Sequence, residues 1–398
     1  MRSTNLYVAL LVLFFLVSCT DSDKRQEERS ISIMAYYVPE KEYNPDQLPL
    51  DQLTHIIFSF SRVIDGKMAF ENEEAGEKLR QLAAQREKYP HLKVMIACGG
   101  WGADGFSDMS HTAENRQKFV RSVIAFNKKY ELDGIDIDWE YPAIPAANTK
   151  ARPEDKQNFT LLMKELREAL DTMDREQTLT FASAGWKPYY KNIEIGEVMK
   201  HVDYMNVMTY DQIGATSPFT GHHTALGRIK EKDIKGTPAW NYVQERKEAM
   251  KMRGLSYEPR SAEKIVDFCI QEGVKPEQIV IGAAFYGRAW NGVPPKNNGL
   301  YQSNTGSHIG WSAYRQIRAE FETNENYKRH WDSIAKAPYL YSVKDSILIS
   351  YDDSVSVRLK TEFAIKNKLG GIMFWELGND VKEKNSLLKS IYTASIRK

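Results

Sequence analysis

Short apolar runs rich in Val, Ile and Phe recur along the chain: ISIMAYYV, THIIFSFSRV, KVMIACGG, GIDIDWE, TLTFASAG, VDYMNVMTY, IVIGAAFYG and GGIMFWE. Between them lie segments such as EKLRQLAAQREK, ENRQKFVRSVIAFNKKY and EDKQNFTLLMKELREALDTM, with apolar residues at three-to-four spacing and charge on the opposite face. That period predicts helices, and strands alternating with helices predict a parallel sheet built from βα units. Eight such units close naturally into a barrel, so the expected fold is α/β, a (β/α)8 TIM barrel. An open doubly wound sheet would announce a glycine-rich phosphate turn after its first strand, and AYYVPEKEYNP holds none.

From Ile31 onward the chain exceeds the ~250 residues typical of such barrels, so insertions are expected. One is a long excursion after the sixth strand, from about Gly214 to Pro259, containing FTGHHTALG and a charged helical piece. The other, residues 291–350, carries Trp311, Trp331, Tyr339 and Tyr341 and reads as a small α+β insertion subdomain between strands seven and eight. At the front, Arg2 precedes LYVALLVLFFLV, which is shorter than the ~20 residues a membrane-spanning helix needs and suits a signal for export. Leu16-Val17-Ser18-Cys19 resembles the bacterial lipobox, which makes Cys19 the expected lipidated N-terminus; an ordinary secretory signal with a chance cysteine is the alternative. The expected organisation is a signal peptide over 1–19, a polar tether over 20–30 and the barrel over 31–398. The acidic start of TDSDKRQEERS resembles sorting tags of surface lipoproteins, so the expected place is a membrane, the outer membrane or cell surface, reached through the lipid anchor.

Composition narrows the partners. The 54 basic and 53 acidic residues nearly cancel, so the chain lacks the positive field that nucleic acid demands. Besides Cys19 there are only Cys98, in an expected strand, and Cys269, in an expected helix; both read as buried free thiols. No C-x-x-C or H-E-x-x-H pattern occurs, and neither a metal nor a cofactor is expected. The expected state is a monomer.

The candidate chemistry lies in ELDGIDIDWEYP, residues 131–142, where Asp133, Asp136, Asp138 and Glu140 interleave with Ile135, Ile137 and Trp139. Strand side chains alternate, so Asp136, Asp138 and Glu140 share one face and the apolar residues the other. In a barrel the apolar set faces the helices and the acids face the interior, with Glu140 at the C-terminal mouth where barrel active sites sit. Acids ~6.6 Å apart away from bulk water cannot all ionise, so at least one retains a proton at neutral pH. Glu140 is then poised as a proton donor, as cleavage of a glycosidic bond requires. Metal binding or capping of backbone groups are the alternatives left open by the pattern.

DGIDIDWEYP resembles the D-x-x-D-x-D-x-E signature of family 18 glycoside hydrolases, the chitinase family, with Asp133, Asp136, Asp138 and Glu140 in its acidic places. The resemblance extends through HIIFSFSRV and ACGGW on the second and third strands, MNVMTYD on the sixth, GAAFYGRAW on the seventh and GGIMFWELGND on the eighth. It implies a retaining hydrolase in which Glu140 protonates the leaving sugar while the substrate's own 2-acetamido carbonyl attacks the anomeric carbon. Asp138 would orient the acetamido N–H, Asp136 would share its proton, and Asp133 would be structural. Tyr210 would hold the acetamido oxygen, with Met208 and Asp211 shaping that pocket. Trp375 would be the sugar's floor, Trp101 the leaving-group platform, and Tyr286 and Arg288 a polar wall; Tyr36, Phe58, Gly99 and Gly100 complete the implied substrate-binding set. Ala97 stands where many members carry a serine that helps satisfy the buried aspartate, which leaves the hydrogen bonding of Asp136 open, although Tyr36 could reach the carboxylates. His222 and His223 lie in a loop and are expected to be exposed or neutral to substrate.

The implied substrate is chitin or a chito-oligosaccharide, cut in endo fashion. Alternatives are an endo-β-N-acetylglucosaminidase acting on N-glycan cores, against which the insertion between strands seven and eight argues, and a chitin-binding lectin, against which the retained Glu140 argues.

Overall fold

The structure, a computed structural model, describes residues 30–39, 43–252, 258–308, 312–382 and 385–396. Signal peptide, Cys19, nearly all of the tether and Trp311 lie outside the described residues. Eight parallel strands form the barrel: Ser32–Tyr37, His55–Ile64, Lys93–Gly99, Gly134–Asp138, Thr178–Ala184, Tyr204–Met208, Ile279–Ala284 and Gly371–Trp375. Each pairs with the next, and the first also pairs with the eighth, Ser32 opposite Gly371, which closes the sheet. All eight expected strands are present.

The helices form because their apolar stripes face this sheet. Ala113–Tyr130 is capped by Thr112, whose side chain accepts from the Asn115 N–H, and it buries Phe119, Val120, Val123, Phe126 and Tyr130. Glu114 in its first turn and Lys128 and Lys129 in its last complement the helix dipole. Asp155–Leu170 repeats the plan with Phe159, Leu162, Met163, Leu166 and Leu170 inward. The first connection departs from it: between strands one and two the described residues form only the single turns Pro45–Gln47 and Leu50–Gln52.

The run IVIGAAFYG, which reads as one strand, divides at Phe285. Ile279–Ala284 stays in the barrel, whereas Tyr286–Asn291 joins a second, antiparallel sheet with Ala337–Ser342, Ile347–Ser350 and Lys328–Asp332. With the helical turns from Tyr314 to Glu322 this is the α+β insertion, and its sheet begins at Tyr286 rather than at residue 291. In the other excursion, helix Pro238–Met252 buries only Ala239 and Val243. A small inner core of Met34, Tyr36, Ile57, Met95, Ala97, Val280 and Met373 fills the barrel beneath its mouth.

Candidate active site

Gly134–Asp138 places the acids. Ile135 and Ile137 face the helical layer, and Trp139 follows them, stacked on Phe106 with ring centroids 5.4 Å apart. The opposite face carries Asp136 and Asp138, and beyond them Glu140, with exposures of 0%, 5% and 8%. Asp133, below the strand's start, accepts from Arg86 at 2.7 Å, Arg175 at 2.8 Å and the Val94 N–H at 2.8 Å.

Asp136 is fully served despite Ala97. Its carboxylate accepts from the Tyr36 hydroxyl at 2.9 Å, the Thr180 hydroxyl at 2.5 Å and the Asn206 amide at 3.2 Å. Thr180 and Asn206 are site residues that the motif comparison missed. The signal was available: each is the polar member between apolar neighbours on a buried strand, Leu179 and Phe181 in one case and Met205 and Val207 in the other. Asp138 differs, because its buried Oδ1 has no hydrogen-bond partner among the described residues.

Burial dominates the proton affinities here. It pushes Asp136 up to about 6 against the opposing effect of its three donors. Burial and then the neighbouring charges of Glu140 and Asp136 hold Asp138 well above the usual carboxylate range. Glu140 is pushed up to about 7, again by burial first, with Asp211 adding to the rise and a hydrogen bond from Tyr141 opposing it. The outermost carboxyl therefore keeps its proton to higher pH than an ordinary glutamate does.

Asp211 sits opposite. It accepts from the Tyr286 hydroxyl at 2.9 Å and from Arg288 through Nε at 2.7 Å and Nη2 at 2.8 Å. Although burial favours its neutral form, His223 and Arg288 overcome this and hold it well below the usual range. Tyr210 stands edge-on to Tyr286 at 5.9 Å and its hydroxyl reaches the Met373 sulfur at 3.8 Å. Met208 is half-buried against the same inner core.

The floor is aromatic, but its second member is not the expected one. Phe58 is buried at the helical side, edge-on to Phe70 at 5.8 Å, and does not line the site. Phe60 does, stacked on Trp375 at 5.4 Å and 20°. A register shift between Ser59 and Ser61 displaces the strict alternation along the second strand and brings Phe60 inward. Tyr36 flanks Trp375 at 5.9 Å. Trp101 stands 65% exposed at the rim, with Tyr141 at 6.5 Å behind it. Gly99 and Gly100, at φ 122° and 93°, serve packing: a Cβ on Gly99 would lie 2.0 Å from the Asp138 carbonyl oxygen, and one on Gly100 would lie 2.8 Å from the Phe60 ring.

Beside the ends of strands five and six a cavity of about 620 Å³ opens between Trp186, Phe219, Tyr242, Arg260 and Tyr301, away from the acids. His222 and His223, expected to be exposed or neutral to substrate, are 2% and 0% exposed, so the first of those alternatives does not hold. Cys98 and Cys269 are buried and free.

Residues 32–380 match the model of glycosyl hydrolases family 18. The chain belongs to this family. Among curated proteins the family 18 chain is similar to Chitinase A1 of Niallia circulans, 36% identical over 315 residues, which cover 76% of this chain and 42% of that protein. Chitinase B of Serratia marcescens is 30% identical over 381 residues, 83% of this chain and 73% of the relative. This chain thus spans less than half of the first relative's length. Among solved structures, a family 18 N-acetylglucosaminidase from Paenibacillus barengoltzii superposes with a TM-score of 0.78 at 34% identity, covering 92% of this chain and 99% of the other.

Proposed function

We propose that this family 18 chain hydrolyses β-1,4-linked N-acetylglucosamine polymers or oligomers in endo fashion, with Glu140 as general acid and base. The observation that carries the reading is Glu140 at the end of a buried acid row, its carboxyl pushed up to about 7. A group titrating there donates a proton to the leaving oxygen and recovers one from water in the second half-reaction. The substrate's acetamido oxygen attacks the anomeric carbon, the glycosidic C–O bond breaks, and the leaving sugar takes the Glu140 proton. Water then opens the oxazolinium ring from the same face, so configuration is retained. Asp138, whose Oδ1 has no hydrogen-bond partner among the described residues, passes its proton to Asp136 and, as a carboxylate, accepts the acetamido N–H and offsets its developing positive charge. Tyr210 supports the acetamido oxygen. Trp375 carries the sugar at the cleavage point, backed by Phe60 rather than Phe58, and Trp101 carries the leaving-group side. Relatives named chitinases support the substrate class, and the insertion wall supports a groove for a linear chain.

The likeness to the Paenibacillus N-acetylglucosaminidase favours a second reading, removal of single N-acetylglucosamine units. Product analysis on chitotetraose and chitohexaose, beside an N-glycosylated protein, separates the readings. Dimers and trimers from the oligomers support the endo reading. Monosaccharide as the sole early product supports the second. Glycan release with the oligomers untouched overturns both.

The proposal also includes export with a lipid on Cys19, supported by the N-terminal sequence alone. Fatty-acid labelling that persists in Cys19→Ala would remove the anchor from it.

A further inference from the structure

His223 is fully buried beside the site and has no part in the reaction as written above. Three contacts fix it: its N–H donates to the Ser350 hydroxyl at 2.9 Å, its carbonyl accepts from the Gln212 N–H at 3.0 Å, and its ring lies 5.2 Å from that of Tyr286. The ring's Nε2 is 3.2 Å from the Tyr286 carbonyl oxygen. A carbonyl only accepts, so Nε2 carries a hydrogen. Nδ1 faces Asp211 Oδ1 at 3.7 Å and has no hydrogen-bond partner among the described residues. In the neutral ring two lone pairs therefore oppose each other, one on a buried ring and one on a carboxylate that is 41% exposed. In the imidazolium form both nitrogens donate, and the mismatch disappears.

We propose that His223 is a positioning residue for Asp211 and, through it, for Glu140, taking up a proton in acid and thereby weakening the negative field that Asp211 places on the catalytic carboxyl. The charged groups around the ring are Asp211 on the loop after strand six, Arg288 on Tyr286–Asn291, and Asp352 ahead of helix Ser354–Lys366. Asp352 is itself tied to buried Lys360 at 2.6 Å. Burial is the strongest influence and holds the ring neutral below its ordinary 6.5, assisted by Arg288 and opposed by Asp211 and Asp352. At pH 7 and above the ring is uncharged, and Glu140 feels Asp211 in full. In acid the His223–Asp211 pair makes Glu140 a stronger donor, which sustains the reaction on the acid side.

The inference rests on Glu140 being the acid, so its test has one arm that does not need activity. Imidazole NMR of the full chain, with His223 identified by its contact to the Tyr286 ring, should show hydrogen on Nε2 and none on Nδ1 at pH 8. A second proton should arrive below pH 6.5. Hydrogen on Nδ1 at pH 8, or a ring that never titrates while the protein stays folded, overturns the proposal whatever the enzyme does. The other arm compares kcat/KM of native protein and His223→Gln, which keeps a donor within reach of the Tyr286 carbonyl and cannot ionise. The ratio of variant to native should be flat above pH 7 and fall about threefold once the pH drops below the range in which the imidazole spectrum shows the second proton arriving. A ratio constant at every pH overturns the proposal. If the variant does not fold, the native ring's spectrum decides alone.

Discussion

Asp133 and Glu140 bracket a strand of five residues, Gly134–Asp138, and their surroundings are opposite in kind. Asp133 meets two guanidinium groups and a backbone N–H. Glu140 meets burial, a tyrosine and the nearby negative charge of Asp211. At the lower end a carboxylate is held by three donors and ties strand to strand. At the upper end it is made uncomfortable, which keeps a proton available. The barrel thus separates stability from chemistry along a single strand, in the sense general to this fold.

The largest effect that would sharpen this contrast is Glu140→Gln. Shape is kept and the proton is lost, so kcat on chito-oligomers should fall ~10²–10⁴-fold while their binding, measured by calorimetry, survives. The matching change below, Asp133→Ala, strands Arg86 in a place only 14% exposed to solvent. It should cost roughly 3–5 kcal/mol in urea unfolding, with kcat of the folded fraction unchanged. An Asp133 variant that stays stable yet loses kcat would erase the division between the two ends.

A smaller effect follows from linkage. Burial raises Glu140 from 4.5 to about 7, so the folded state holds this proton more tightly than the unfolded chain. Its contribution to stability is complete below pH 4.5 and is lost as pH rises through about 7, by roughly 3 kcal/mol at 1.36 kcal/mol per unit. Asp136, raised to about 6, has the same sign. Glu140→Gln cannot ionise, so thermal melts should find it more stable than the native protein at pH 8 and equal to it at pH 4. Equal melting temperatures at both pH values would mean the carboxyl is not strained.

The sequence made the barrel legible because period-two and three-to-four patterns are set by burial on two faces, and each βα unit carries its own copy. The acid row was legible for the same reason: alternation alone separated Asp136, Asp138 and Glu140 from Ile135 and Ile137. What hid was the product of long-range closure. Tyr36 was expected to reach the carboxylates, but nothing local connects Thr180 and Asn206 to Asp136, since the three come from three strands and meet only when the barrel shuts. The burial of the histidines was hidden because a loop that looks polar, FTGHHTALG, is clamped under the insertion by Ser350. The break at Phe285 hid inside an unbroken apolar run, because the same composition serves two sheets.

Phe58 and Phe60 bring the comparison of faces down to one strand and its smallest expected effect. Alternation would place both on one face, yet the register shift at Ser59 and Ser61 sends Phe58 to Phe70 and Phe60 to Trp375. Phe60→Leu removes the ring stacked beneath the tryptophan but leaves an apolar side chain of similar bulk. Aromatic pairs contribute about 0.5–1.5 kcal/mol beyond burial, so KM should rise about two- to tenfold through a loosened Trp375. With the acid row untouched, kcat should hold within about twofold, and the unfolding midpoint should move little. Phe58→Leu should give the reverse pattern, a loss of stability with KM unchanged, because its ring packs against a helix-side partner. A KM shift in Phe58→Leu and none in Phe60→Leu would return the second strand to simple alternation and put Phe58 back beneath the sugar.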